Sequence, residues 1–374
     1  VLEITNTTGL GSTDAGTRVE ESAVLRISLS GQPTPQGSSS IDAKINEKIT
    51  LAGGILQLNG NYIDLKGGVV LEGKDKNSTI RVKDDSKDVF VRSTISGEGG
   101  LIKTGQGFLR LGSQEPQQHQ GETIIKQGEL WIAKSTTLPE STDVVIKENG
   151  NLRLQGEGNK LQSLNGSGIL ELRNLESILT SGLSSKDDEF SGVISGKGGF
   201  TKVGNGTTTF SGDNTYTGAT NVQSGRLTLA NISAIDQSSS TAVSGTGQLD
   251  LFTYSANDAF DRGKEFKINQ VEVIEGGRLF VSARNPLVSE SIQLNANESG
   301  GIAVEIFEKE RNKAPIRVND EFVYTSGSLV VKGPIEDDPE GRWNIIDGKV
   351  TNEDELAKNT FLSIVGLTRT NYRF

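Results

Sequence analysis

A short unit recurs along this chain of 374 residues: a glycine, any residue, then two aliphatic residues one position apart. It stands at Gly54-x-Leu56-x-Leu58, Gly128-x-Leu130-x-Ile132, Gly150-x-Leu152-x-Leu154 and Gly168-x-Leu170-x-Leu172. It returns at Gly225-x-Leu227-x-Leu229, Gly247-x-Leu249-x-Leu251, Gly277-x-Leu279-x-Val281 and Gly327-x-Leu329-x-Val331. From Gly128 to Gly150 to Gly168 the steps are 22 and 18 residues, and from Gly225 to Gly247 the step is again 22. The step to Gly277 is 30 residues, which an insertion between units explains. Alternation after a glycine describes a short strand with one buried face, too short to be stable alone. A unit of about 20 residues is the size of one coil of a solenoid, in which stacked coils pair every strand and bury columns of aliphatic side chains. Glycine is 46 of the 374 residues, about 12% against a usual level of about 7%, and supplies the corners that need φ > 0. A leucine-rich-repeat horseshoe has a similar period, but its L-x-x-L-x-L-x-x-N ladder is missing. A series of immunoglobulin-like sandwiches is the stronger rival, yet should show fewer glycines and a buried aromatic in each domain, and aromatics are only 5%. The reading is all-β: a right-handed parallel β-helix (β-solenoid) of about 13–15 coils with a C-terminal cap.

A longer repeat lies over the first. ISGEGGLIKTGQGFLRL at Ile95–Leu111 matches ISGKGGFTKVGNGTTTF at Ile194–Phe210, an offset of 99 residues. Each copy then closes alike, GETIIKQGELWIA from Gly121 and GATNVQSGRLTLA from Gly218, now offset by 97. Between them the second copy carries SGDNTYTG at Ser211–Gly218, where the first has the glutamine-rich GSQEPQQHQG at Gly112–Gly121. This string of fixed glycines resembles the passenger-associated repeat of bacterial autotransporters. The resemblance covers about 75 residues directly and reaches the rest through the shorter unit. It implies a β-helical passenger, carried to the surface of a Gram-negative bacterium through periplasm and outer membrane by a C-terminal β-barrel. That barrel is absent from this chain, because nothing near Phe374 alternates like transmembrane strands.

The last stretch departs from the repeat. From Glu305 onward glycine thins and charge clusters, at Glu308–Lys313 and Glu336–Gly341. Gly341–Val350 reads as strand, turn and strand around Trp343 and Ile345, and Asn352–Asn359 as a short helix with Asn352 as N-cap and Glu355 three residues on. Residues 1–304 are therefore read as the β-helix. Residues 305–374 are read as a cap that hides the last coil, comparable to the folding-linked end of autotransporter passengers, or alternatively as a small independent domain.

Composition removes most site chemistry. There is no cysteine, no methionine and one histidine, so disulfides, thiol nucleophiles and sites needing two imidazoles are excluded. The formal charge of −10 has no basic block, which argues against nucleic acid as partner. No stretch approaches a transmembrane helix, so membrane contact is expected only through the missing barrel. The opening VLEITNTTGL has neither an initiator methionine nor a signal-type leader, as in a segment of a longer precursor. Enzymes also use β-helices, and Asp84-Asp85, Asp187-Asp188 and Asp337-Asp338 are the paired acids available. All three pairs sit among charges, as in solvated loops. Arg81-Val-Lys83 is similar to the R-x-K element of polygalacturonases but lacks its G-H-G partner, and no G-D-S-G serine motif exists. No catalytic, cofactor or metal residues are assigned, and the chain is expected not to be an enzyme. What remains is surface. Four departures from the repeat, Gly31–Ser40, Gly112–Gly121, Ser184–Ser191 and Thr253–Lys264, are read as loops on a rigid scaffold. Within them Tyr254, Phe260, Gln117, His119, Asp187 and Asp188 are the candidate contacts to a host cell-surface protein or glycan. The expected role is an adhesin. Alternatives are a released virulence factor engaging a host receptor, and thirdly a polysaccharide-active enzyme.

Overall fold

A computed structural model describes residues 1–10, 15–29, 43–60, 63–83, 89–251, 264–305, 314–333, 345–358 and 360–364. Tyr254, Phe260, Trp343, the pairs Asp84-Asp85 and Asp337-Asp338, and the segment Gly31–Ser40 lie outside these residues. The fold is an all-β parallel solenoid of about 12 turns, 60% strand and 2% helix. Two units are distinguished: Val1–Leu183 with Gly192–Lys197, and Ser184–Ser191 with Gly198–Phe374.

In the first unit the aliphatic pairs of the short repeat stack in register. Leu25 pairs with Leu56 and Leu56 with Ile80. Further along, Leu109, Leu130, Leu152, Leu170 and Ile194 form one column, and Leu111, Ile132, Leu154 and Leu172 form its neighbour. Every one of these side chains is buried. Each contributes about 1.5–3 kcal/mol by burial, and a slip of one residue would turn a whole column outward, so the register is strongly specified. A second parallel ladder joins Thr17–Glu20, Ile49–Ala52, Val69–Leu71, Ile95–Gly97 and Gln118–His119.

The second unit repeats the scheme. Leu227, Leu249, Leu279, Ile302 and Leu329 form one column, with Phe210, Leu229 and Leu251 beside it. The Phe200 and Phe210 rings meet inside with centroids 4.8 Å apart. The turn count falls below the expected 13–15 because a 20-residue period holds only locally. Thr123 pairs with Val144, but Val24 pairs with Ile55 and Gln248 with Arg278, about 30 residues on.

Parallel pairing runs on beyond Glu305: Ile316 pairs with Ile346, and Leu329 with Thr360. Of the strand, turn and strand expected at Gly341–Val350, residues 341–344 lie outside the described residues, and Ile346–Thr351 is one strand that includes Gly348 at φ 142°. The helix is present at Glu353–Lys358, packs against the strand Ile316–Ser326 and buries Leu356. Its start differs from a reciprocal cap. The Asn352 carbonyl accepts the Glu355 and Leu356 amides at 3.1 and 3.0 Å, while its side-chain amide donates to the Tyr324 carbonyl at 2.8 Å. The Glu355 carboxylate instead accepts from Lys358 at 2.6 Å.

Candidate partner-binding surface

The long repeat places matching polar groups inside both units. Lys103 and Lys202, 99 residues apart, are fully buried at core positions of the ladder. Lys103 stands in the column Ile80–Lys103–Ile125–Ile146, and Lys202 beside Val222 and Val243. Each stem packs as an aliphatic chain while the ammonium reaches the glycine-rich turn that follows. Lys103 Nζ donates to the carbonyls of Thr104, Gly105 and Gln127 at 3.1, 2.7 and 3.0 Å. Lys202 Nζ donates to those of Val203 and Gly204 at 2.5 and 3.2 Å. Burial pushes the Lys202 pKa down, with Asp188 and Asp187 opposing it.

A second matched network lies at the offset of 97, or 96 for its last hydroxyl. His119 Nε2 meets Thr123 Oγ1 at 2.7 Å, Thr123 meets Thr142 Oγ1 at 3.1 Å, and Thr142 donates to the Gly121 carbonyl at 3.0 Å. In the other copy Tyr216 meets Thr220 at 2.6 Å, Thr220 meets Ser238 at 3.0 Å, and Ser238 donates to the Gly218 carbonyl at 2.8 Å. Gln117 corresponds likewise to Asn214. The Gln117 side chain accepts the Ile95 amide at 2.7 Å and donates to Ser113 at 2.7 Å, and Asn214 donates to the Ala234 carbonyl at 2.9 Å.

These positions correct the sequence reading. Gln117, His119 and Asp188 are buried, so none presents its side chain to a docking partner; Asp187 alone of the four described candidates is exposed. Gly112–Gly121 and Ser184–Ser191 are not free loops. Gln118–His119 pairs with Ser96–Gly97, and Asp188–Phe190 with Thr208–Phe210, which turns Asp188 and Phe190 inward. Asp187 instead accepts the Thr207 amide at 2.7 Å. Arg81 and Lys83 are exposed, as the outward-facing reading of that strand expects.

Burial holds His119 neutral, its pKa lowered from 6.5 to about 4. The unfolded chain therefore takes up the proton first as pH falls. Stability from this site is complete above about pH 6.5 and declines toward pH 4, a loss of about 3 kcal/mol. Replacement of His119 by tyrosine, the residue of the other copy, should remove that share of acid sensitivity. Urea midpoints at pH 7 and pH 4.5 for both proteins measure it, and an unchanged pH difference would contradict the assignment.

The outward face of the first unit carries a feature that sequence reasoning missed. Register puts Phe90, Arg110, Trp131 and Arg153 in one row across successive coils. The Arg110 guanidinium lies over both rings, 5.0 Å from Phe90 and 4.1 Å from Trp131. Arg92 covers Phe90 at 5.1 Å, and Arg153 and Arg173 approach Trp131 at 5.3 and 5.5 Å. Arg153 bridges Glu129 at 2.8 Å and Glu171 at 2.6 Å, and Arg92 bridges Asp64 at 3.0 Å. Burial raises the Glu129 pKa, opposed by Arg153. The signal was available: Trp131 and Arg153 occupy the outward second x of their G-x-L-x-L units. Among the described residues no three histidine, aspartate or glutamate side chains are grouped to hold a metal ion, and no helix is long and apolar enough to cross a membrane.

Residues 200–229 match the family described as passenger-associated-transport-repeat, which spans the buried Lys202, the Tyr216 network and the strand Thr220–Leu229. This repeat, carried on a parallel β-solenoid, supports an autotransporter passenger segment. Such passengers lie at the surface of Gram-negative bacteria or are secreted from them. A curated relative, the adhesin BmaC autotransporter of Brucella suis biovar 1 (strain 1330), is 30% identical over 198 residues. The match takes in 51% of this chain and only 6% of that protein. No solved structure matches the chain.

Proposed function

We propose that this passenger segment is an adhesive display module that binds host cell-surface molecules through groups held on a rigid β-solenoid. The observation that carries this reading is the 198-residue similarity to an autotransporter adhesin, with the passenger repeat inside this chain. The physical structure supports it. In each unit parallel backbone pairing and buried aliphatic columns fix the coils, so outward side chains are held at set spacings with little ordering left to occur on binding. The buried polar groups of the repeat hold turns and coils together, which accounts for them without catalysis.

The purified 374-residue segment should bind cultured host cells saturably, as read by flow cytometry with labelled protein. Absence of saturable binding would overturn the reading. A receptor response to soluble protein without adhesion would favour a released ligand instead. Cleavage of a cell-surface polysaccharide, abolished by replacing a single carboxylate, would favour an enzyme.

A further inference from the structure

We propose that the row Phe90–Arg110–Trp131–Arg153 is a binding track for a linear acidic glycan, one bearing carboxylate or sulfate groups. The inference rests on the adhesive reading above and names the chemistry of its partner.

Three observations carry it. First, two of the cations stand further out than an acid that pairs with them: the Arg92 side chain is 48% exposed against 2% for Asp64, and Arg153 22% against 6% for Glu129, while Glu171, the second partner of Arg153, is 26% exposed. In a chain of net charge −10, Arg92, Arg110, Arg153 and Arg173 gather about this row, and guanidinium forks match carboxylate and sulfate oxygens two at a time. Second, the two aromatic rings alternate with arginines. Phe90 and Trp131 are two coils apart, roughly 10 Å at the usual strand spacing. An alternate-ring arrangement suits a linear polymer whose acidic groups repeat along its length and meet the arginines, while its apolar C–H groups touch the parts of the rings that the guanidiniums leave uncovered. Third, Phe108 and Ile169 stand on the neighbouring outward row, with Glu129 and Asn151 between them, and at 44% and 45% exposed they add apolar groups beside the track. A protein partner would be expected to meet a central pocket, whereas this is a narrow strip running across the coils. A nucleic acid, with its denser charge, is disfavoured by the −10 of the chain as a whole.

The 374-residue segment is passed over immobilised heparin, hyaluronan, neutral dextran and single-stranded DNA. Retention on heparin alone assigns sulfate as the recognised group, and retention on hyaluronan assigns carboxylate. Trp131→Ala and Arg110→Gln should each weaken the Kd at least tenfold. Arg173→Glu, at an exposed position, should weaken it at least threefold with an unchanged circular-dichroism melting curve. The proposal is overturned if acidic glycans bind no better than dextran, if the variants bind like the parent, or if single-stranded DNA binds as tightly. Cell binding without glycan binding would overturn this inference and leave the adhesive reading standing. Glycan binding without cell binding would do the reverse.

Discussion

Replacing Lys103 with alanine should destabilise the first unit by about 3–5 kcal/mol, with the loss centred on the coils that carry Ile80, Lys103 and Ile125. Two effects add. The Lys103 stem fills a place in an otherwise aliphatic column, so truncation leaves a cavity beside Ile80 and Ile125. The ammonium also ties its own turn, through Thr104 and Gly105, to Gln127 on the next coil. Stacked coils touch only their neighbours, so the damage should be read locally, as faster amide hydrogen exchange in 100–104 and 123–127. Lys103→Met separates the effects, because it keeps most of the volume and removes the donors. It should cost about half as much. A methionine variant as stable as the parent would show that desolvating the ammonium cancels its hydrogen bonds, an outcome known for buried charges elsewhere. Lys202→Ala should cost less, since Lys202 caps two carbonyls, those of Val203 and Gly204.

The parts of the fold legible in the sequence are those that depend on one strand at a time. Alternation in Gly150-x-Leu152-x-Leu154 says which side chains point inward, and the structure buries both leucines. Which residues then meet across coils depends on register, and insertions between units hide it. Trp131 and Arg153 each read as outward positions, yet the contacts of Trp131 with Arg110 and of Arg153 with Trp131 follow only from coil-to-coil pairing. His119 was misread for a different reason. A glutamine-rich segment looks like a solvated loop, but the register beside Gly97 carries it inside, where polar groups find partners in Thr123 and Ser113. The offset of 97 already pointed to this, since it sets His119 where the other copy has the large, largely apolar Tyr216. Asp188 shows the same limit. The charges around it suggest solvent, while the alternation of Asp188, Glu189 and Phe190 sets aspartate and phenylalanine on one face.

Gly196→Ala should be nearly as damaging, costing about 3 kcal/mol or more. Gly196 ends the ISG of the long repeat at φ 104°, a backbone conformation that residues with a side chain rarely adopt. Its ladder partner is Leu172 on the preceding coil, and a Cβ on Gly196 would stand 2.0 Å from the Leu172 carbonyl oxygen and 2.6 Å from its carbonyl carbon. No rotamer relieves such a contact, because the obstacle is backbone held in the parallel ladder. The coil must lift, and the pairing of Leu170 with Ile194 and Glu171 with Ser195 is strained with it. Gly97, the counterpart in the other copy, has φ 110° and the Leu71 carbonyl oxygen 2.1 Å from the same point, so Gly97→Ala should behave alike. Gly112→Ala provides the contrast. There an added Cβ meets only the Ala133 methyl, at 3.9 Å, and stability should change by about 0.5 kcal/mol or less. Urea unfolding of the three variants tests the ranking. Equal losses at Gly112 and Gly196 would mean that these glycines serve chain flexibility in general, not close approach of one coil to the next.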